Sequence, residues 1–133
     1  MGIILDTDVI IRSEKGIFDL RRWVAGQAGE RLEVSAITVA ELRHGAERAT
    51  EAYRARREQY IEVILSMLPV IPYTGQIAYV HARLWAELEM CGKMIGFYDL
   101  IVAATALERG SAVATFNTKH FAQVKGLKVV KPE

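Results

Sequence analysis

Short apolar runs and helical stripes alternate along this chain. Ile3-Ile4-Leu5 stops at Asp6-Thr7-Asp8 and apolar character resumes at Val9-Ile10-Ile11, which suggests a buried strand with polar groups at its carboxyl end. Phe18, Leu20, Trp23 and Val24 stand among Arg21 and Arg22, a short amphipathic helix closed by Gly26. Leu32-Glu33-Val34 predicts a second strand. After it, Thr38-Val39-Ala40-Glu41 matches a capping box, with Thr38 as N-cap and Glu41 reaching back. Leu42, Ala46 and Ala49 continue that helix. A further helical pattern runs from Glu51 to Met67, with Tyr53, Tyr60, Ile64 and Met67 on one side.

Pro69-Val70-Ile71-Pro72 can be a strand only at a sheet edge or in abbreviated form, because its prolines cannot donate to a ladder. From Gln76 to Cys91 an apolar stripe of Ile77, Val80, Leu84, Leu88 and Cys91, widened by Ala78 and Trp85, predicts a core helix. Gly92 to Gly96 breaks it. The next helix opens at Phe97-Tyr98-Asp99, is rich in alanine, and meets a C-cap signal at Arg109-Gly110. Ala112 to Thr115 and Leu127 to Val130 read as two last strands. Strands alternating with helices imply an α/β fold with a mainly parallel central sheet of about four or five strands flanked by helices.

With 133 residues and 51% hydrophobic content the chain suits one domain, 1–133, with a sizeable core. The net charge of +1 gives no global field for nucleic acid, so any such contact rests on a local patch. Arg54, Arg56 and Arg57 form either a solvated face or a phosphate contact. Cys91, the one cysteine, cannot close an internal disulfide; it suits a reducing cytoplasm and is expected to be a buried small hydrophobe. Glu62 and Pro69 interrupt the best apolar run, so no membrane span is expected. The start lacks an export pattern, and Met1-Gly2 lacks the hydroxyl residue at position 6 that myristoylation needs. Neither export nor a lipid anchor is expected.

The chemistry gathers at strand ends and helix starts. Asp6, Glu41, Asp99 and Asn117 all fall there and can converge on one edge of the sheet, where parallel sheets bind ligands. Asp6 reads as a ligand and Asp8 as a cap or support. Asp99 in a first turn gains from the helix dipole, so a capping role competes with a functional one. Clustered carboxylates repel one another unless protons or a cation offset them, and oxygen donors suit Mg²⁺ or Mn²⁺. No Cys/His cluster competes for zinc. Phosphodiester hydrolysis is the natural reaction for such an ion. Thr7, Thr115 and Lys119 could orient water or bind phosphate; His44 carries no assigned chemistry.

Leu5-Asp6-Thr7-Asp8, Ser35 to Leu42, Ile95 to Ala104 and Ala114 to Phe121 resemble, in order and spacing, the four motifs of PIN-domain ribonucleases, and the similarity is greatest to the VapC toxins of toxin–antitoxin systems. The resemblance implies one PIN domain and an endoribonuclease dependent on Mg²⁺ or Mn²⁺. It also implies a VapB-type antitoxin partner, a homodimer, and transfer or ribosomal RNA as substrate. By position, Asp6, Glu41 and Asp99 are the metal-binding acids, and Thr115 and Asn117 complete the polar rim. Two positions depart from the family pattern: Asp8 stands where Asn is frequent, and Asn117 occupies the fourth acidic position. Asn117 supplies no charge, which bears on a second metal site. His120 stands where many relatives have an acid.

Two rival readings remain at this level. Asp6-Thr7-Asp8-Val9-Ile10 also resembles the first motif of haloacid-dehalogenase-type phosphatases, with Asp6 as nucleophile and Asp8 as general acid. The second is a PIN domain that binds a partner without turnover.

Overall fold

The computed structural model describes residues 1–133. Its centre is β1 (Gly2–Leu5), whose four residues are all buried. β2 (Arg31–Ser35) and β4 (Ala112–Ala114) flank it, and β3 (Val70–Ile71) and β5 (Val129–Val130) form the edges, in the order β3-β2-β1-β4-β5. Every pairing is parallel, with Ile4 opposite Glu33 on one side and Val113 on the other. The proline-bounded segment is an edge strand, as its missing donors require.

Because side chains on a strand point alternately to opposite faces, each short strand feeds two cores. Ile3, Leu5, Ala112 and Ala114 pack beneath α1 (Thr7–Glu14), α2 (Leu20–Ala25), α3 (Ala36–Arg48) and α4 (Glu51–Met67), among Val9, Ile10, Trp23, Leu42 and Ile61. Ile4 and Val113 face α5 (Gly75–Cys91), α6 (Phe97–Arg109) and α7 (Thr118–Phe121), among Leu84, Leu100, Val102 and Phe121. The alanines of α6 are fully buried, which lets that helix lie close to the sheet. Gly110 caps α6 at φ +65, a left-handed conformation that glycine adopts without a Cβ penalty.

Several elements differ from the sequence reading. Val9-Ile10-Ile11 is helical: Asp6 ends the strand and caps α1, burying Val9 and Ile10 on its inner side. α3 starts at Ala36, capped by Ser35, whose hydroxyl accepts from Ile37 N at 3.3 Å. Thr38 is therefore inside the helix and the predicted capping box does not form. On α4 the buried positions are Ile61 and Ile64, while Tyr53 and Met67 are exposed. On α5 they are Ile77, His81, Leu84 and Leu88. Cys91, the last residue of α5, is exposed, not buried, and Trp85 is 40% exposed. The arginines of α4 stay at the surface: Arg57 lies 3.9 Å from Glu14, and Arg54 donates to the Glu47 carbonyl. No helix is long and apolar enough to cross a membrane.

Candidate active site

The strand order turns back at β1, with β2 on one side and β4 on the other, and the crevice at the carboxyl ends beside that point is where open parallel sheets place ligands. Asp6 follows β1 there and Thr115 follows β4. The ladder fixes them side by side, since Asp6 N donates to the Ala114 carbonyl at 2.9 Å and Thr115 N donates to that of Val130 at 3.0 Å.

Asp6 is only 5% exposed, and both of its oxygens are engaged. Oδ1 accepts from Thr7 N and Oδ2 from the Thr115 hydroxyl, each at 2.8 Å. Asp8 sits two residues further on, in the first turn of α1, its Oδ2 accepting from Phe116 N at 3.1 Å. The Thr115 hydroxyl lies 3.4 Å from Asp8, but its single proton belongs to the shorter bond with Asp6. Burial, followed by the charge of Asp8 and then that of Asp99, pushes the Asp6 carboxyl up to about 7 against the opposing bonds from Thr115 and Thr7. Burial also raises Asp8. Asp6, deeper and nearer two other acids, keeps its proton longer than Asp8.

Glu41 arrives from the other side on α3. Its Oε1 accepts from the Thr7 hydroxyl at 2.8 Å, and that hydroxyl lies 3.1 Å from the Thr38 hydroxyl. Thr7 gives its proton to Glu41, so Thr38 is the donor in the second contact. Burial raises Glu41, and the Asp99 charge raises it further. Asp99 itself is half-buried in the first turn of α6. Its Oδ2 lies 3.4 Å from His120 Nδ1, which is 2.8 Å from Asn117 Nδ2. The shorter contact makes Nδ1 the acceptor of the amide. Asn117 N donates to Thr115 Oγ1 at 2.9 Å, closing the rim.

The structure thus brings Asp6, Asp8, Glu41 and Asp99 into one field, with Asn117 and His120 at its edge. Thr7 and Thr115 are buried, and their hydroxyls face carboxylates rather than solvent, so they hold the acids instead of meeting water or phosphate. Lys119 is exposed on α7 and forms no ion pair with these acids. Sequence reasoning gave Thr38 only a capping role and His120 no role in the site. A hydroxyl one turn ahead of Glu41 signals the first, and the Asn117-x-x-His120 spacing across one turn signals the second. As placed, no three acidic or imidazole groups surround a single point closely enough to hold an ion. The donor set is nonetheless all oxygen, and its members repel one another, which fits a hard divalent cation better than any other neutralising group.

A family model described as "PIN domain" matches residues 3–127, so the class that fold and acid cluster define is the PIN domain. Ribonuclease VapC1 of Rickettsia felis is 33% identical over 98% of this chain and 96% of its own length. The tRNA(fMet)-specific endonuclease VapC of Salmonella typhimurium is 33% identical over 74% of each chain. Among solved structures, DNA-bound VapBC from Salmonella typhimurium superposes with a TM-score of 0.90 at 29% identity, covering 98% of both chains. The chain belongs to the PIN-domain family, within its VapC branch. The phosphatase alternative loses its ground here. The PIN-domain match over residues 3–127 and the ribonuclease relatives displace it.

Proposed function

We propose that residues 1–133 form one PIN domain that hydrolyses RNA phosphodiester bonds, the toxin half of a toxin–antitoxin pair in the cytoplasm, held silent by a VapB-type antitoxin. The observation that carries the reading is the strained acid cluster at the β1/β4 crevice, where Asp6 is held at about 7 by burial and by the charges of Asp8 and Asp99. A protein core gains nothing from such crowding, and a binding site for a cation does.

Asp6, Glu41 and Asp99 would hold the ion, Mg²⁺ or Mn²⁺ by the oxygen-only donor set. Bound there, it supplies Lewis acidity toward a phosphoryl oxygen and a more acidic water. The chain's own residues do the positioning. Thr115 fixes Asp6 from β4, and Thr7 fixes Glu41 while its backbone N–H holds Asp6. Asn117 and His120 lie at the rim beside Asp99, where a phosphate would pass. Asn117 adds a dipole but no charge, so the three acids would hold one ion and a second site would lack its acid. Transfer RNA is the first substrate to try, because the Salmonella relative bears that specificity in its name; ribosomal RNA is the second.

The test is incubation of antitoxin-free protein with total RNA and purified transfer RNA in Mg²⁺, Mn²⁺ or EDTA, beside Asp99→Asn. Discrete fragments that require both metal and Asp99 are expected. Cleavage that survives EDTA or Asp99→Asn refutes the metal assignment. A folded, metal-binding protein that cuts no RNA favours the binding-only reading.

A further inference from the structure

Between the first turns of α3 and α6, beside Tyr73 in the segment after β3, lies an open cavity of about 420 Å³. Ala36, Ile37, His81, Phe97 and Ile101 complete its lining. Small-molecule clefts span about 300–1,000 Å³. No wall of this one is charged, because burial disfavours the protonated form of His81. His81 Nδ1 lies 2.8 Å from the Tyr73 hydroxyl, and its ring stacks on Trp85. Phe97 meets His81, Trp85 and Tyr98 edge-to-face, with ring centroids 5.8 to 6.1 Å away. These contacts fix the Phe97 ring, yet 56% of that residue is exposed, and 49% of Tyr73. The cavity adjoins the acid cluster through the same two helices. Ile37 stands one turn before Glu41 on α3, and Phe97 shares the first turn of α6 with Asp99. Asp99 Oδ2 lies 3.4 Å from where a Cβ on Gly96, the residue just before Phe97, would stand.

We propose that this cleft takes one unpaired nucleobase of the RNA, stacked on the Phe97 ring, beside the phosphate that lies at the acids. The inference rests on the reading of the chain as an RNA-acting domain and adds to it a residue that binds the substrate. Proteins that act on single-stranded RNA splay bases out and stack them on aromatic side chains, and every base offers a face for this. Phe97 is such a platform, with Ile37 and Ile101 as an apolar floor and Tyr73 as a wall. The lining has no acid to repel a phosphate backbone and no cation to select an acidic peptide. His81 Nε2 is buried and finds no partner within the chain. An occupant with polar edges, as a base has, suits such a cavity better than an aliphatic side chain. His81 acts through Phe97 and Tyr73, holding both rings in place. Stacking is tolerant of base identity, so the cleft demands an unpaired base more than a particular one.

The experiment is stopped-flow fluorescence of the full chain in Mn²⁺ with short single-stranded RNAs, each carrying one 2-aminopurine at a different position. Stacking quenches this base, and the quench is read before the cut. Quenching at one position is expected, lost in Phe97→Ala and retained in Phe97→Tyr. Phe97→Ala should also lower kcat/KM for the same RNA about 5–150-fold. An abasic ribose at the quenched position should cost the wild type the same factor and cost Phe97→Ala nothing further. Cleavage without quenching, quenching that survives Phe97→Ala, or losses that add in the abasic RNA overturn the proposal and leave the ribonuclease reading standing. Quenching without cleavage upholds the cleft and overturns the ribonuclease reading. Protein that neither quenches nor cuts overturns both. Circular dichroism confirms the fold of each variant, and a Phe97→Ala protein with an altered sedimentation coefficient makes the cleft a protein contact, which also overturns the proposal.

Discussion

Asp6→Asn is expected to abolish cleavage and to make the metal-free protein more stable at alkaline pH. The carboxyl titrates near 7 in the folded chain and near 3.8 in the unfolded one. A raised folded pKa means that the folded state binds the proton more tightly, so this group's contribution to stability falls as pH rises from about 3.8 and is lowest above about 7. Linkage over that interval costs about 4 kcal/mol at pH 8 and under about 1 kcal/mol at pH 4. Asparagine removes the charge but cannot accept from both Thr7 N and Thr115 Oγ1, returning about 1 kcal/mol of the gain. The net gain at pH 8 is about 3 kcal/mol, or roughly 10 °C in melting temperature for a chain of this size. At pH 4 the two proteins should melt together, or the variant slightly earlier. Differential scanning calorimetry in EDTA reads the difference directly. A divalent ion at 100 times its dissociation constant should then close the gap at pH 8, since it adds about 2.7 kcal/mol to the wild type alone. A variant no more stable than wild type at pH 8, or equally stabilised at pH 4, refutes the crowding argument.

Other outcomes follow from the same contacts. Thr115→Val keeps the shape at the end of β4 but frees Asp6 Oδ2 and Asn117 N, and should cut cleavage by about 10–100-fold with the fold retained; an unchanged rate would remove Thr115 from the site. Isothermal titration of Mn²⁺ should show affinity rising between pH 6 and 8, because the ion displaces the Asp6 proton, and proton release should be detectable in buffers of different ionisation heat. Gly2→Ala brings a Cβ to 2.6 Å from Ser111 Oγ in the tight floor of β1 and should cost about 1–3 kcal/mol, with Ser111→Ala recovering most of it in the double variant. Phe121→Ala empties a fully buried position under β4 and should cost about 3–5 kcal/mol in urea denaturation.

The α/β alternation was legible because each buried strand is a short apolar run and each helix carries its own punctuation, as at Gly26 and Gly110. Asp99 was placed correctly because a glycine turn followed by an uncharged alanine-rich stretch has few other readings. The misplaced start of α3 has a local cause. Ser35 and Thr38 are both competent caps one turn apart, and the choice is made by Thr7, which engages the Thr38 hydroxyl from a position 31 residues away. Val9-Ile10-Ile11 looks extended to any local rule, yet the cap at Asp6 starts a helix before them. Trp85 and Cys91 fit the inner stripe of α5 by spacing, yet both are exposed, because only the packing against neighbouring elements decides which flank is covered. Spacing alone could nominate Asp6, Glu41 and Asp99. That Asp8 joins their field, and that Thr115 holds Asp6, are consequences of strand order.

Asp6 and Thr115 are bonded across 109 positions of sequence. A ribosome therefore makes the first acid 109 residues ahead of its anchor, and until β4 slots in beside β1 the emerging polypeptide has no crevice in which the acids can meet. The crevice is thus a property of the assembled sheet, and no translation intermediate that lacks β4 possesses it.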